Sequence, residues 1–193
     1  VLSSKQKGVV SEGLRWVSMM ILVPVPWSQR VWALPYLTVL APHKKTNQAL
    51  GHRHKTAIDL VIQMMRQTRR WLPKRAIVLF VDGGLMAVKL GLACGDLQQS
   101  VTLISRLRLD ARLYDPAKPK QKGKPGPQAK VGKRQPSLNQ RLNDPATRWL
   151  RRKIAWYGGQ QRVIEYVTGT ALWYTNSEDR PLLLRWVLVR DPY

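Results

Sequence analysis

Cysteine, acidic residues and long apolar runs are all scarce in this sequence. Cys94 is the single cysteine among 193 residues, so no disulfide can form within the chain and no cysteine-rich zinc motif exists. Cys94 lies in an apolar stretch, which predicts a buried, unreactive thiol suited to a reducing cytoplasm. The longest apolar run, Trp16 to Trp27, contains Pro24 and Pro26 and is too short to cross a bilayer as a helix.

The scarcity of acids leaves a large positive charge. Eleven Asp and Glu residues stand against 33 Lys and Arg residues, a formal net charge of +22. Such an excess is typical of domains with an anionic partner, because self-repulsion otherwise opposes the compact state. Nucleic acid, anionic membrane and acidic protein all meet this requirement, and nucleic acid is the favoured partner. A basic surface kept for solubility is the alternative.

The apolar content is nevertheless sufficient for a core. Hydrophobic residues make up 44% of the chain, enough for one domain or for one domain plus a subdomain. Apolar runs from Leu14 to Val25 and from Val31 to Leu40 predict a hairpin, and the first run is typical of a strand buried on both faces. Residues 27–30 predict its turn, and Pro35 indicates a bulge or an edge position.

A polar, basic segment at residues 42–55 predicts a loop that contacts phosphate or solvent. Its closely spaced pair His52 and His54 lacks the further ligands that a zinc site needs. A helix then begins at Thr56, where Asp59 completes an acidic version of the capping box. Apolar residues recur on one face of this helix, and Pro73 ends it.

The middle of the chain alternates strand and helix. The apolar run Ala76–Val81 predicts the clearest buried strand, a helix follows from about Met86 to Leu97, and Val101–Leu107 predicts another strand. Strands that alternate with helices imply an α/β layer with some parallel pairing.

The last third of the chain changes character. Residues 118–134 are rich in Lys, Arg, Pro and Gly, which predicts a mobile loop whose cations neutralise phosphates. A small antiparallel β subdomain is predicted after Trp149, with turns at 158–159 and 176–177. Its expected strands span residues 152–157, 162–168, 171–175 and 182–190. Most of the eight tryptophans are expected in the core, with one or two at a DNA surface.

Asp82 is the strongest candidate for chemistry. It follows the predicted strand Ala76–Val81, and α/β folds place their sites at the carboxyl ends of such strands. Gly83 and Gly84 then allow a ligand or a backbone to come close. A carboxylate there suits a hard divalent cation such as Mg²⁺, which prefers oxygen ligands. The alternative is structural, since Asp-Gly is a favoured turn dipeptide.

Short motifs stand in order along nearly the whole chain: RWVSMM at 15–20, VPVPW at 23–27, RVWALP at 30–35, RHKT at 53–56, the strand 77–84 ending in DGG, VTL at 101–103, RLRLD at 106–110, LYDP at 113–116 and RWVLVRDP at 185–192. In this set and order they resemble the DDE superfamily endonuclease domain of bacterial insertion-sequence transposases. The chain departs from the family pattern at Val81 and Leu85, where a glycine and a tyrosine are usual.

The resemblance implies an RNase H-like fold, that is, an α/β mixed sheet with flanking helices, incomplete here and followed by a β-rich insertion subdomain. In that fold three acids hold two ions, Mg²⁺ or Mn²⁺, that promote phosphoryl transfer. Asp82 matches the second acid, whereas the first and third belong to segments before Val1 and after Tyr193. We therefore expect this chain to be a catalytically inactive fragment of a transposase. The alternatives are a non-catalytic basic DNA-binding module and a decayed gene product.

The expected organisation follows from the resemblance and from the composition. A partial catalytic core is expected at 1–110, a flexible basic loop at 111–148 and a truncated β-strand insertion at 149–193. The expected partners are DNA, as transposon ends and target, and further copies of the chain, with no membrane and no small-molecule cofactor. The side chains expected to contact the DNA backbone are all basic: Arg53, Lys55, Arg69, Arg70, Lys118, Lys120, Lys122, Lys124, Lys130, Lys133 and Arg134.

Overall fold

The computed structural model describes residues 13–28, 30–119, 127–156, 159–174, 178 and 180–192. These residues form a mixed α/β structure, as predicted. The chain divides into two compact units, residues 1–75 and 76–193. Each unit has its own secondary-structure plan, and the candidate carboxylate Asp82 lies in the second.

The first unit begins with the predicted hairpin. Strand β1 (Trp16–Val25) pairs antiparallel with β2 (Arg30–Leu40), and a 3₁₀ turn at Pro26–Ser28 follows β1. The register shifts between Met19 and Met20, whose partners are Leu37 and Pro35. A β-bulge therefore lies beside the proline, as its position in the sequence predicts.

Burial on both faces of β1 is not observed, so that prediction is wrong. Val17 is the buried residue of this strand, and neighbours such as Ile21 and Leu22 are exposed. A two-stranded sheet offers two faces, and packing covers only part of one of them here. Thr68 contacts this hairpin: its hydroxyl lies 2.9 Å from the Tyr36 hydroxyl and 3.9 Å from the Met19 sulfur.

Two helices complete this unit. The predicted loop at 42–55 is wrong in part, because α1 (Lys44–Ala49) forms there. Apart from Ala49 this helix is polar, so it lacks the apolar stripe that reveals a helix in sequence. Its buried Asn47 side chain is 3.1 Å from the His54 ring nitrogen, which ties the helix to the following segment.

Helix α2 (Ala57–Trp71) is confirmed together with its capping box. The Asp59 amide donates to the Thr56 hydroxyl at 3.2 Å, and the Thr56 amide donates to the Asp59 carboxylate at 2.9 Å. The helix ends just before Pro73, as predicted. One face is buried: Leu60, Val61, Ile62, Met64, Met65, Thr68 and Arg69.

The second unit opens with the predicted strand–helix–strand segment. Strands β3 (Val78–Val81) and β4 (Thr102–Ser105) are parallel, and α3 (Val88–Gly95) connects them. Burial of the whole strand β3 was expected and is wrong, because alternate residues, Phe80 among them, face solvent. Cys94 is buried in α3, as expected, and burial raises the pKa of its thiol to about 11.

A four-stranded antiparallel sheet occupies the rest of this unit. Its central strand β7 (Gln161–Trp173) pairs with β5 (Leu113–Tyr114), β6 (Leu150–Ala155) and β8 (Leu182–Arg190). The strand expected at 162–168 and residues 171–173 of the strand expected at 171–175 thus belong to one strand, continuous through Gly169. Of the two predicted turns, Gly159 has a left-handed φ of 76°, and residues 158, 176 and 177 lie outside the described residues.

Packing in the core of this sheet explains why β7 has a glycine at position 169. Gly169 pairs directly with Trp186, which is buried. A Cβ on Gly169 would lie 2.6 Å from a ring carbon of Trp186, closer than real Cβ atoms come. The other buried members of the cluster are Leu113, Leu138, Ala171 and Leu188.

The basic segment at 118–134 is less loop-like at its end than its composition predicts. The Asp115 amide donates to the Lys133 carbonyl, and the Gly132 amide donates to the Asp115 carbonyl, each at 2.8 Å. Helix α4 (Leu138–Asn143) follows, begun by a capping box between Ser137 and Gln140. The expectation of a loop is therefore wrong for α4, whereas residues 132–137 form no helix or strand beyond an isolated bridge between Arg134 and Tyr114.

The tryptophans correct another expectation. Trp186 is the buried one of the eight, all of which lie in the described part of the chain; Trp149 and Trp173 are half-buried. The guanidinium of Arg190 lies 4.1 Å from the ring centre of Trp149, so a cation contacts this half-buried indole, which also packs against the buried cluster around Trp186. The exposed ones are Trp16, Trp27, Trp32, Trp71 and Trp156.

Candidate functional site

Asp82 lies where two parallel strands end. The register pairs Val81 of β3 with Ser105 of β4, so the next residues, Asp82 and Arg106, leave the sheet at the same edge. Asp82 also begins the 3₁₀ turn at Gly83–Leu85, and its Oδ1 atom accepts a hydrogen bond from the Gly83 amide at 2.8 Å. Asp82 is therefore a turn residue, as one interpretation of Asp-Gly predicted, and it also lies next to the charged residue Arg106.

Arg106 forms an ion pair with Asp82. Its Nη2 atom donates to Oδ1 of Asp82 at 2.9 Å, and the side chains are 86% and 70% exposed. The hydrogen bond from the Arg106 guanidinium lowers the pKa of the Asp82 carboxyl below its usual value, and the bond from the Gly83 amide lowers it further but by less. Asp82 is therefore negatively charged at neutral pH and is already engaged by a cation.

Gly83 permits this close approach of the two strand ends. A Cβ at this position would lie 3.3 Å from the Arg106 carbonyl oxygen, a tighter contact than most Cβ atoms make, so a side chain there would require a small shift of the segment after β4. Beside it is a cleft of about 230 Å³. The cleft is lined by Gly83, Met86, Arg106, Leu107, Arg108, Asp110, Ala111 and Trp173.

A second arginine in this cleft is held differently. Arg108 donates to Asp110 through two nitrogens, Nε at 2.8 Å and Nη2 at 2.7 Å. Such a two-pronged pair fixes the plane of the guanidinium, whereas the single contact between Arg106 and Asp82 leaves it freer to turn. The cleft thus contains one firmly held and one loosely held arginine.

The described residues alone do not fit a two-ion metal site. No cluster of three or more His, Cys, Asp or Glu side chains suitable for a metal is found among them. The Asp82 carboxylate has the oxygen chemistry that Mg²⁺ prefers, but one of its oxygens is shared between Arg106 and the Gly83 amide. A single engaged carboxylate is too few ligands for two ions, so we assign no metal-bound step to the described residues.

The expected DNA-backbone side chains are mostly exposed, and they fall in both units. Lys55 donates to Gln63 at 2.7 Å, and the Lys130 ammonium lies 5.5 Å from the ring centre of Tyr174. Three of the expected residues, Lys120, Lys122 and Lys124, lie outside the described residues. The exposed ones are Arg53, Lys55, Arg70, Lys118, Lys130, Lys133 and Arg134.

Arg69 does not fit its expected role. The side chain is buried, and its Nη1 atom donates to the carbonyl oxygens of Leu72 at 2.9 Å and Arg75 at 2.7 Å. These carbonyls lie just past the end of α2, where a cation offsets the negative end of the helix dipole. Arg69 is therefore a capping group for α2 rather than a phosphate ligand.

A further charged cluster lies on the antiparallel sheet, and sequence reasoning missed it. Glu165 of β7 is buried and pairs with its two cross-strand neighbours, Arg151 of β6 and Arg190 of β8, at 2.8 Å each. Arg151, followed by Arg190, lowers the pKa of the Glu165 carboxyl. Both carboxylate oxygens are used within the sheet, so the cluster is structural.

Comparison with known proteins identifies the family. Residues 1–163 match the family described as DDE superfamily endonuclease. The chain belongs to this family. Neither the curated proteins nor the solved structures gave a match. The resemblance seen in the sequence motifs is thereby confirmed, and for a DDE endonuclease the substrate is DNA.

The pair formed by Asp82 and Arg106 is therefore the candidate DNA-processing site to consider in a member of this family. In this DDE endonuclease, Asp82 and Arg106 lie 24 positions apart in sequence yet meet at one sheet edge. The signal that could have revealed Arg106 is the predicted parallel pairing, since residues that follow adjacent parallel strands share an edge.

No helix among the described residues has the length and apolar character needed to cross a membrane.

Proposed function

We propose that this chain is part of an insertion-sequence transposase that cuts and joins DNA by metal-dependent phosphoryl transfer. The observation that carries the proposal is the family match over residues 1–163, together with Asp82 at the end of β3. Asp82 would hold one of two Mg²⁺ or Mn²⁺ ions. The metal would activate the attacking oxygen and stabilise the leaving one.

The order of elements supports an RNase H-like core. An antiparallel hairpin (β1–β2), a helix (α2) and a parallel pair (β3 and β4) follow one another along the chain. The sheet formed by β5, β6, β7 and β8 would correspond to a β-strand insertion, and the partition at 110 and 148 stays a proposal. Asp82 would then be the second acid of the catalytic triad.

By itself the chain is proposed to be inactive. The described residues bring one carboxylate to the strand-end site, and Arg106 occupies it. Phosphoryl transfer by two ions needs further oxygen ligands to hold both metals. The remaining acids would therefore come from outside the described residues.

A non-catalytic DNA-binding module is the second candidate. The net charge of +22 and the exposed basic side chains favour it independently of any carboxylate. This function would show DNA binding that weakens steeply with salt, ignores sequence and needs no divalent cation.

The deciding experiment measures DNA cleavage and strand transfer with Mg²⁺ or Mn²⁺. This chain is compared with a polypeptide extended on both sides along its source DNA, and the extended form is also made as Asp82→Ala. We expect activity only in the extended form. Substituting a residue that only orients a metal ligand typically costs about 10- to 100-fold in activity, so removing a direct ligand should reduce activity by more than about 100-fold.

The matched control is Asp110→Ala in the extended form. Asp110 is also exposed and paired with an arginine, but it does not match a position of the triad. The Asp110→Ala variant should retain most of the activity of the extended form. An inactive extended form, or an Asp82→Ala variant as active as its parent, would leave Asp82 as a turn residue and favour the DNA-binding module.

A further inference from the structure

The Arg106 side chain is exposed and is held by one hydrogen bond, two features that suit the binding of an anion. Its guanidinium is 86% exposed and projects at the edge where β3 and β4 end. A guanidinium presents five N–H donors in a planar fork that matches phosphate, and a single nitrogen, Nη2, makes the contact with Asp82. Turning toward a phosphate would therefore break one hydrogen bond.

Asp82, the partner of Arg106, also loses little when this ion pair breaks. Ion pairs between exposed side chains contribute little, because water competes for both groups. Asp82 would keep the hydrogen bond from the Gly83 amide after losing Arg106, so its carboxylate would not be stranded. The pair can consequently exchange partners at small cost.

From this geometry we infer that Arg106 binds a DNA phosphate, and that Asp82 positions it beforehand. When the phosphate backbone arrives at this edge, the guanidinium moves from the aspartate to a phosphate oxygen and leaves the carboxylate free. The inference rests on the proposed function, because it assumes that DNA is the substrate at this site. It adds a residue and an order of events: the arginine engages DNA before the aspartate becomes available.

Arg108 provides the contrast within the same cleft. It is similarly exposed, but Asp110 holds it by two hydrogen bonds instead of one. Exchange to phosphate would require both bonds to break. Arg108 should therefore contribute less to DNA binding than Arg106, although both carry the same charge.

The test is DNA binding by fluorescence anisotropy over a range of salt concentrations, with Arg106→Gln and Arg108→Gln. The two variants are electrostatically matched, since each removes one arginine and releases one aspartate. We expect Arg106→Gln to weaken binding about tenfold and to lower the slope of log K against log salt by about 1. Arg108→Gln should change both quantities distinctly less.

A second arm tests the exchange itself. Asp82→Asn removes the competitor for Arg106 and should strengthen DNA binding in the parent more than in the Arg106→Gln background. Circular dichroism spectra establish that each variant is folded. If Arg106→Gln does not fold, Arg106→Lys serves instead: it keeps the charge, loses the fork and should bind DNA more weakly than the parent.

The outcomes separate the two proposals. If the parent binds no DNA, the proposed function fails and the role of Arg106 fails with it. If the parent binds DNA but Arg106→Gln and Arg108→Gln behave alike, the role of Arg106 is overturned while the DNA-processing function stands. Equal effects of Asp82→Asn in both backgrounds would likewise exclude the exchange.

Discussion

Glu165 shows at the scale of one residue how charge and position interact. The side chain is 9% exposed, and arginines on both neighbouring strands neutralise it. A buried carboxylate without partners would be costly, because it loses its hydration. In a chain with 11 acids against 33 basic residues, this acid anchors two cations at the centre of a sheet.

The depressed pKa of Glu165 predicts how stability depends on pH. Its folded-state pKa lies below the ordinary value of 4.5, so the folded state binds the proton less readily than the unfolded state. The contribution to stability is therefore fully present above pH 4.5 and is lost as the pH falls through the folded pKa. Urea unfolding followed by tryptophan fluorescence between neutral pH and pH 3 should show this decline.

The Glu165→Gln variant isolates this effect. We expect it to be less stable than the parent at neutral pH and to lose less stability on acidification, since glutamine does not titrate. Glu178→Gln, the same chemical change outside this ion-pair network, is the control. Parallel pH profiles for the parent and Glu165→Gln would refute the assignment.

At the scale of the element, α2 is specified by its first turn and by one face. Thr56 and Asp59 satisfy each other's backbone amides. The buried face then packs around Met64 and Met65, which are nearly inaccessible. These signals are local, and for this reason the helix was predictable within about one residue at each end.

Removing the cap of α2 should therefore have a measurable cost. We expect Thr56→Ala to destabilise the first unit by about 1 kcal/mol, because the Asp59 amide loses its acceptor. The measurement is the urea midpoint, supported by hydrogen exchange of the α2 amides. Thr56→Ser keeps the hydroxyl and should restore most of the stability; a serine variant as unstable as the alanine one would show that the hydroxyl is not the cause.

At the scale of the whole molecule, exposed apolar surface predicts self-association. The hairpin leaves side chains such as Ile21 and Val31 more than half exposed, and Phe80 of β3 is 59% exposed. Large apolar surfaces and open strand edges of this kind promote association. The net charge of +22 opposes it, so screening by salt should favour it.

Light scattering with thermal melts tests this expectation. The mass should exceed 22.1 kDa and should rise when salt is increased from about 0.1 M to about 0.5 M. The self-association prediction fails if a monomeric, cooperatively unfolding species persists at both salt concentrations.

The candidate site was predictable only in part. Asp82 could be chosen from the sequence because a short apolar strand runs directly into Asp-Gly-Gly. Arg106 was missed, because nothing in its immediate sequence distinguishes it from the other basic residues, and only the predicted parallel pairing of the two strands points to it. Its role depends on the register of β3 against β4, which brings Val81 level with Ser105.

The sequence by itself determined the elements whose signals are local: the hairpin, the capped helix α2 and the strand–helix–strand segment around Asp82. It also determined the charge and, through its ordered motifs, the family. Tertiary structure alone decided which faces are buried, how Glu165 is neutralised and which cation meets Asp82. The physical reason is that periodicity and capping act over a few neighbouring residues, whereas burial and ion pairing depend on residues that only strand pairing brings together.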